Sequence, residues 1–238
     1  MSGSPWKLVI FDNDGVIVDS EPLAEIAMSG ALSAAGYPMT PEECGDALRG
    51  TTLVATRRII EERSGRPLPP DFEDRYSTAL FELMHTQLRP VPGVETVLDD
   101  LDAAAVTYCV ASSGRRERVR FALEKVGLLS RFNGHWWGAE DVVHGKPAPD
   151  LFLLAAEKMG TAPGHSVVIE DAEFGVQAAH AAGMAVFGFA ARTPAEKLAG
   201  ADYVFKDMAE LPALLLGRGP GGGGPLGRDE ELGRASAR

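Results

Sequence analysis

Short apolar runs punctuate the chain at Lys7–Phe11, Val106–Ala111, Ser166–Ile169, Ala185–Phe189 and Asp202–Phe205. Runs of this length with turn residues after them are the pattern of buried strands. Between the later runs lie stretches of helical period, Arg116–Val126, Pro149–Met159 and Phe174–Ala182, each followed directly by glycine. Glycine just past a periodic stretch is the usual helix stop. Strands alternating with helices predict a mostly parallel sheet covered on both faces, hence an α/β fold.

The segment from Glu21 to about Leu88 breaks this rhythm. It predicts successive helices over Pro22–Ala35, Pro41–Leu48, Leu53–Ser64 and Pro70–Leu88, with no strand among them. A helical insert after the first strand implies a second, smaller domain. Arg89-Pro90-Val91-Pro92-Gly93 supplies the punctuation of a return hinge. The expected division is a core of residues 1–20 and 90–216, a helical insert of 21–89, and a disordered tail over 217–238. The tail is predicted from its glycine- and charge-rich low complexity.

Composition narrows the function. A 45% hydrophobic and 24% charged chain of 238 residues is ordinary for a globular protein. A net charge of −11 argues against a nucleic-acid partner, which needs a basic face. No apolar run approaches the ~20 residues of a membrane span, and the first residues lack the pattern of a secretory signal. With only two cysteines, Cys44 and Cys109, no disulfide framework is expected, and a cytoplasmic setting follows. Cys109 reads as buried filler and Trp136-Trp137 as core packing, while the five histidines show no zinc spacing.

Asp12 and Asp14, in Phe11-Asp12-Asn13-Asp14-Gly15-Val16, fall just past the first strand's carboxyl end. Open α/β sheets bind ligands at that edge. One carboxylate can attack phosphorus, and a second can protonate the leaving oxygen and then activate water. An Asx-rich turn would use the same residues. The segment Phe11 to Glu21 resembles the first motif of the haloacid dehalogenase superfamily, in its beta-phosphoglucomutase-like branch. Three further segments resemble the motifs that follow in that family: Val110-Ala111-Ser112-Ser113-Gly114, then His144-Gly145-Lys146-Pro147-Ala148-Pro149-Asp150, then Val167-Val168-Ile169-Glu170-Asp171.

The resemblance covers roughly residues 5–215. It implies a Rossmann-like parallel sheet with an inserted helical cap, and a phosphatase with Asp12 as nucleophile and Asp14 as acid and base. It further implies Mg²⁺ held by Asp12, the Asp14 carbonyl and Asp171 with Glu170 assisting. Ser112, Lys146 and the backbone N–H groups around Asn13 and Ser113 would hold the phosphate. Magnesium would also answer how so acidic a chain accepts an anionic substrate, a small phosphorylated metabolite. The cap loop with Arg49, Gly50, Thr51 and Thr52 would contact that substrate. One departure is Ala172-Glu173-Phe174, where relatives often carry serine. A phosphohexose mutase uses the same core residues but carries an arginine just after the cap-loop segment, where this chain has Leu53. A dehalogenase would lack Asp14. A phosphoreceiver module is smaller and places its acid pair on the first strand, with the lysine near its end. Oligomeric state is not encoded in any pattern here.

Overall fold

The computed structural model describes residues 4–49 and 51–217. The expected tail beyond Gly217, and Gly50 of the cap loop, lie outside the described residues. Strands β1 (Leu8–Phe11), β2 (Thr107–Ala111), β3 (Trp136–Trp137), β4 (Ser166–Glu170), β5 (Ala185–Phe189) and β6 (Tyr203–Phe205) form one sheet in the order β3-β2-β1-β4-β5-β6. Every pairing is parallel. The expected α/β architecture is therefore observed, and the limits of the five expected strands differ from the sequence expectation by no more than one residue.

β1 is central, with each of its four residues fully buried. Removing such aliphatic and aromatic side chains from water stabilises the fold by about 1.5–3 kcal/mol apiece. Val9 and Phe11 join one hydrophobic cluster and Leu8 and Ile10 the other, as the two-residue period of a strand requires. The first face is covered by α5 (Val94–Ala103), α6 (Arg116–Lys125) and α9 (Leu211–Leu215). The second is covered by α7 (Asp150–Lys158) and α8 (Glu173–Ala181).

The helical insert comprises α1 (Glu21–Ala34), α2 (Pro41–Leu48), α3 (Leu53–Ser64) and α4 (Phe72–Gln87). Met28, Leu32, Cys44, Ile60, Leu68 and Phe72 give it a small core of its own. Thr40 and Glu43 form a capping box that starts α2, and the Thr52 hydroxyl accepts from Ala55 N–H to start α3. Leu23, Ala27, Leu80 and Met84 on α1 and α4 instead join the main cluster, seating the insert on the sheet domain. The two linkers run side by side: Val18 bridges Pro90, Asp19 N–H donates to Arg89 at 2.9 Å, and Val91 N–H donates to Ile17 at 2.9 Å.

Three of these elements escape the sequence reading: α5 follows the linker directly, α9 comes after β6, and β3 is the Trp136-Trp137 dipeptide pairing with the end of β2. Trp137 is buried, so the expected core packing and an edge-strand role coincide. Cys109 is fully buried and burial raises its thiol pKa, in keeping with an inert filler. Among the described residues no helix is long and apolar enough to cross a membrane.

Candidate active site

Parallel strands place their carboxyl ends along one edge, and the four acidic, hydroxyl and basic segments meet there. The register pairs Phe11 with Val110 of β2 and with Ile169 of β4. The residues that follow each, Asp12, the Ala111–Ser112 pair and Glu170-Asp171, thus emerge side by side. Lys146 arrives from the loop before α7.

Lys146 organises the centre. Its ammonium donates to Asp12 Oδ1 at 2.6 Å and Glu170 Oε1 at 2.5 Å, and lies 4.7 Å from the centroid of the Phe152 ring. Its side chain is only 4% exposed. Burial works against this charge, yet Asp12 and Glu170 more than compensate and hold its pKa above the ordinary range. The other oxygen of Glu170, Oε2, accepts from Ala172 N–H at 2.8 Å. Both oxygens of Glu170 are thus engaged, one by Lys146 and one by the backbone leading into α8.

Burial pushes the Asp12 carboxyl up to about 7; Lys146 opposes this, while Glu170 and Asp14 add to it. Asp171 is raised well above the carboxylate range, first by burial and then by repulsion from Glu170, Asp12 and Glu21. Asp14 behaves oppositely. Burial raises it, but Arg118 and the Ser20 hydroxyl outweigh that and hold it below its ordinary value. Ser20 Oγ and Arg118 Nη2 donate to Asp14 Oδ1 at 2.7 and 2.8 Å.

Glycines make these approaches possible. Gly15 has φ +78°, and a Cβ there would lie 2.1 Å from Asp171 Oδ2. Asp171 therefore rests against the backbone of the Asp12–Gly15 turn. A Cβ on Gly175 would lie 1.9 Å from Glu170 Cδ, so the first turn of α8 must be bare for Glu170 to reach Lys146. Ser112 is buried, and its Oγ accepts from Gly114 N–H at 3.0 Å, while the Ser113 side chain is exposed. Asn13 is fully buried, with neither side-chain polar atom hydrogen-bonded. An orphaned amide at such a place calls for an explanation.

The carboxylates test the fit of a cation. Asp12, Asp14, Glu170 and Asp171 converge on two cationic side chains, Lys146 and Arg118, and Asp171 forms no ion pair among the described residues. Among those residues no group of three or more His, Cys, Asp or Glu side chains is arranged to hold a metal ion alone. A hard divalent cation such as Mg²⁺ takes only one or two carboxylates and completes its shell with water and substrate oxygen. Asp12 and Asp171 match that donor set; a closed zinc cage would not.

A cleft of about 450 Å³ opens between the insert and the sheet domain. Glu21, Arg49, Thr51 and Thr52 line one wall, and Asp171, Phe174, Thr193 and Lys197 the other. Arg49 lines it without being free: Nη2 pairs with Glu25, Nη1 donates to the Arg192 carbonyl at 2.8 Å, and Nε lies 3.6 Å from Glu21. Arg192 in turn grips Asp19 with two hydrogen bonds of 2.9 Å. Thr51 Oγ1 donates to the Leu48 carbonyl at 2.7 Å and lies 2.8 Å from the Thr56 hydroxyl.

Sequence reading missed Ser20, Arg118, Gly175, Arg192 and Lys197. Ser20 lay within the first motif. Arg118 sits in a charged run, Arg115-Arg116-Glu117-Arg118, where no spacing marks one residue from the next.

A profile of the haloacid dehalogenase-like hydrolases matches residues 9–189. The chain belongs to that family. A Drosophila melanogaster protein described as "probable pseudouridine-5'-phosphatase" is 33% identical, over 87% of this chain and 92% of that one. The fructose-1-phosphate phosphatase YqaB of Escherichia coli is 34% identical, over 74% and 92%. The crystal structure of a conserved haloacid dehalogenase-like protein of unknown function from Agrobacterium tumefaciens superposes with a TM-score of 0.81 at 36% identity, covering 88% and 97%. Within the family this chain is a phosphatase, a phosphoric monoester hydrolase.

Proposed function

We propose that the chain hydrolyses a small phosphorylated sugar or related metabolite through an aspartyl-phosphate formed on Asp12, with Mg²⁺ as cofactor. The observation that carries the reading is the buried Asp12 carboxylate with one oxygen fixed by Lys146, so that the other is left to attack. The relatives act, by their names, on a nucleoside-type phosphate and a sugar phosphate, which supports a small monoester.

Asp12, Asp171 and the backbone carbonyl of Asp14 would hold the ion, with Glu170 assisting through Lys146 instead of ligating. When bound, the ion would offset the carboxylate charge and that of the substrate oxygens. Asp12 attacks phosphorus in line. Asp14, whose carboxylate Arg118 and Ser20 favour, reacts from its minor protonated form and gives that proton to the leaving alcohol as the ester P–O bond breaks. Asp14 then takes a proton from water, whose oxygen attacks phosphorus and releases Asp12. Lys146, Ser112, and backbone N–H groups around Asn13 and Ser113 stabilise the equatorial oxygens during both transfers. The insert of residues 21–89 acts as a cap that excludes water over the cleft. Leu53 packs against the insert's own core, and nothing at that position favours the mutase reading.

The test is a panel of sugar, polyol, nucleoside and glycolate phosphates, assayed with Mg²⁺ and with chelator and ranked by kcat/KM. Metal-dependent phosphate release that Asp12→Asn abolishes is expected. Turnover in the Asp12→Asn protein would refute the nucleophile.

A further inference from the structure

The carboxyl of Asp14 is held in one orientation from two sides. Both of its hydrogen bonds, from Ser20 and Arg118, fall on Oδ1. Among the described residues none reaches Oδ2, which lies on the side of Gly114: a Cβ there would be 3.8 Å from Oδ2 and 3.3 Å from the Ser112 hydroxyl. The free oxygen of Asp14 therefore faces the same small space as the hydroxyl assigned to the phosphate.

The two donors differ in origin. Ser20 belongs to the linker that enters the insert, whereas Arg118 stands in the first turn of α6 on the sheet domain. One donor leaves a carboxyl free to swing about it; a second, from another element, fixes the plane. Arg118 is poorly accounted for as a stabilising residue. Its Nε is buried with no hydrogen-bond partner, and its side chain is 39% exposed. An unmade buried donor costs more than a partly exposed ion pair returns.

We propose that Arg118 is a positioning residue for leaving-group protonation, holding Asp14 so that Oδ2 meets the ester oxygen. The inference rests on the phosphatase reading above. It predicts a defect that depends on the leaving group. Phenyl phosphate and p-nitrophenyl phosphate have nearly the same shape, but the nitrophenolate departs readily without a proton.

With Mg²⁺ present, Arg118→Met lowers kcat on phenyl phosphate by roughly tenfold or more, part of the ~10²–10⁴ that a placed acid supplies. The loss on p-nitrophenyl phosphate is several times smaller, KM stays within about twofold on both esters, and Arg118→Lys recovers part of the loss. Equal losses on the two esters would make Arg118 a general support of the site and overturn the proposal, as would no loss on either. A wild-type chain that cleaves neither ester, or an Asp12→Asn protein that still cleaves them, would instead sink the phosphatase reading and this inference with it.

Discussion

Replacing Asp12, the proposed nucleophile, by asparagine keeps its shape and should stabilise the metal-free protein. Asp12 is 7% exposed and lies among Asp14, Glu170 and Asp171. Its pKa rises from an ordinary 3.8 to about 7, chiefly through burial. A carboxyl whose folded-state pKa is raised supports folding while it is protonated. That support is complete below 3.8 and is lost as the pH climbs through 7. At roughly 1.4 kcal/mol per tenfold change in proton affinity, the whole loss is about 4 kcal/mol by pH 8. Part of it has already occurred at pH 5, leaving about 2–3 kcal/mol between pH 5 and pH 8. Asparagine does not titrate, and its carbonyl can still accept from Lys146, which also keeps Glu170. The stability advantage of Asp12→Asn over the wild type should therefore widen by that amount as pH rises.

The assay is thermal unfolding of both proteins in chelator at pH 5, 6.5 and 8, alongside phosphate release with Mg²⁺. For a domain of this size the widening corresponds to roughly 5–10 °C in Tm. The variant should also be inactive at every pH. A gap that stays constant or narrows toward pH 8 would refute the claim that buried, crowded charge at Asp12 opposes folding. Retained turnover would refute its catalytic role separately.

Lys146→Met should lower unfolding free energy by about 3–5 kcal/mol at pH 8, because two buried carboxylates lose their counter-charge; adding Glu170→Gln should restore part of it in urea titrations. Gly175→Ala must push Glu170 off Lys146, so melting should show a loss of about 1–3 kcal/mol together with a fall in kcat, and an unchanged kcat would contradict the tight approach. Chelation should abolish phosphate release and added Mg²⁺ restore it, and Mg²⁺ should raise the Tm of the wild type more than that of Asp171→Asn. Arg192→Ala breaks a half-exposed clamp on Asp19 worth under about 1 kcal/mol, so Tm should hardly move while KM shifts through the seam between insert and sheet domain.

The parts of the fold that sequence reading reached are those with a period. β1, β2, β4 and β5 are apolar runs buried on both faces, and that burial is what makes them legible. α5 also carries its signal, with buried Val94, Val97, Leu98 and Leu101 at helical spacing, but the reading passes over it beside the Pro-Gly hinge. β3 has no such signal. Two tryptophans make no period, and only pairing to Val110 and Ala111 defines them as a strand. At the site, Asp12, Ser112, Lys146, Glu170 and Asp171 lie at or near one sheet edge, four of them at strand ends. Arg118 has no such marker, since its link to Asp14 spans 104 residues.

This contrast explains why the reaction class is more legible than the substrate. The proposed chemistry hangs on backbone positions that the sheet register dictates, so a short motif after each strand would be enough to assemble it. The cleft wall is different. Arg49, the natural candidate for a second anionic group, spends its charge on Glu25 and a carbonyl 143 residues away, and so ties the insert to the sheet domain. Lys197 on the facing wall makes no ion pair among the described residues. A local pattern can say that an arginine is present in the loop. Whether its charge is available depends on partners that only folding supplies, and specificity is decided at that level.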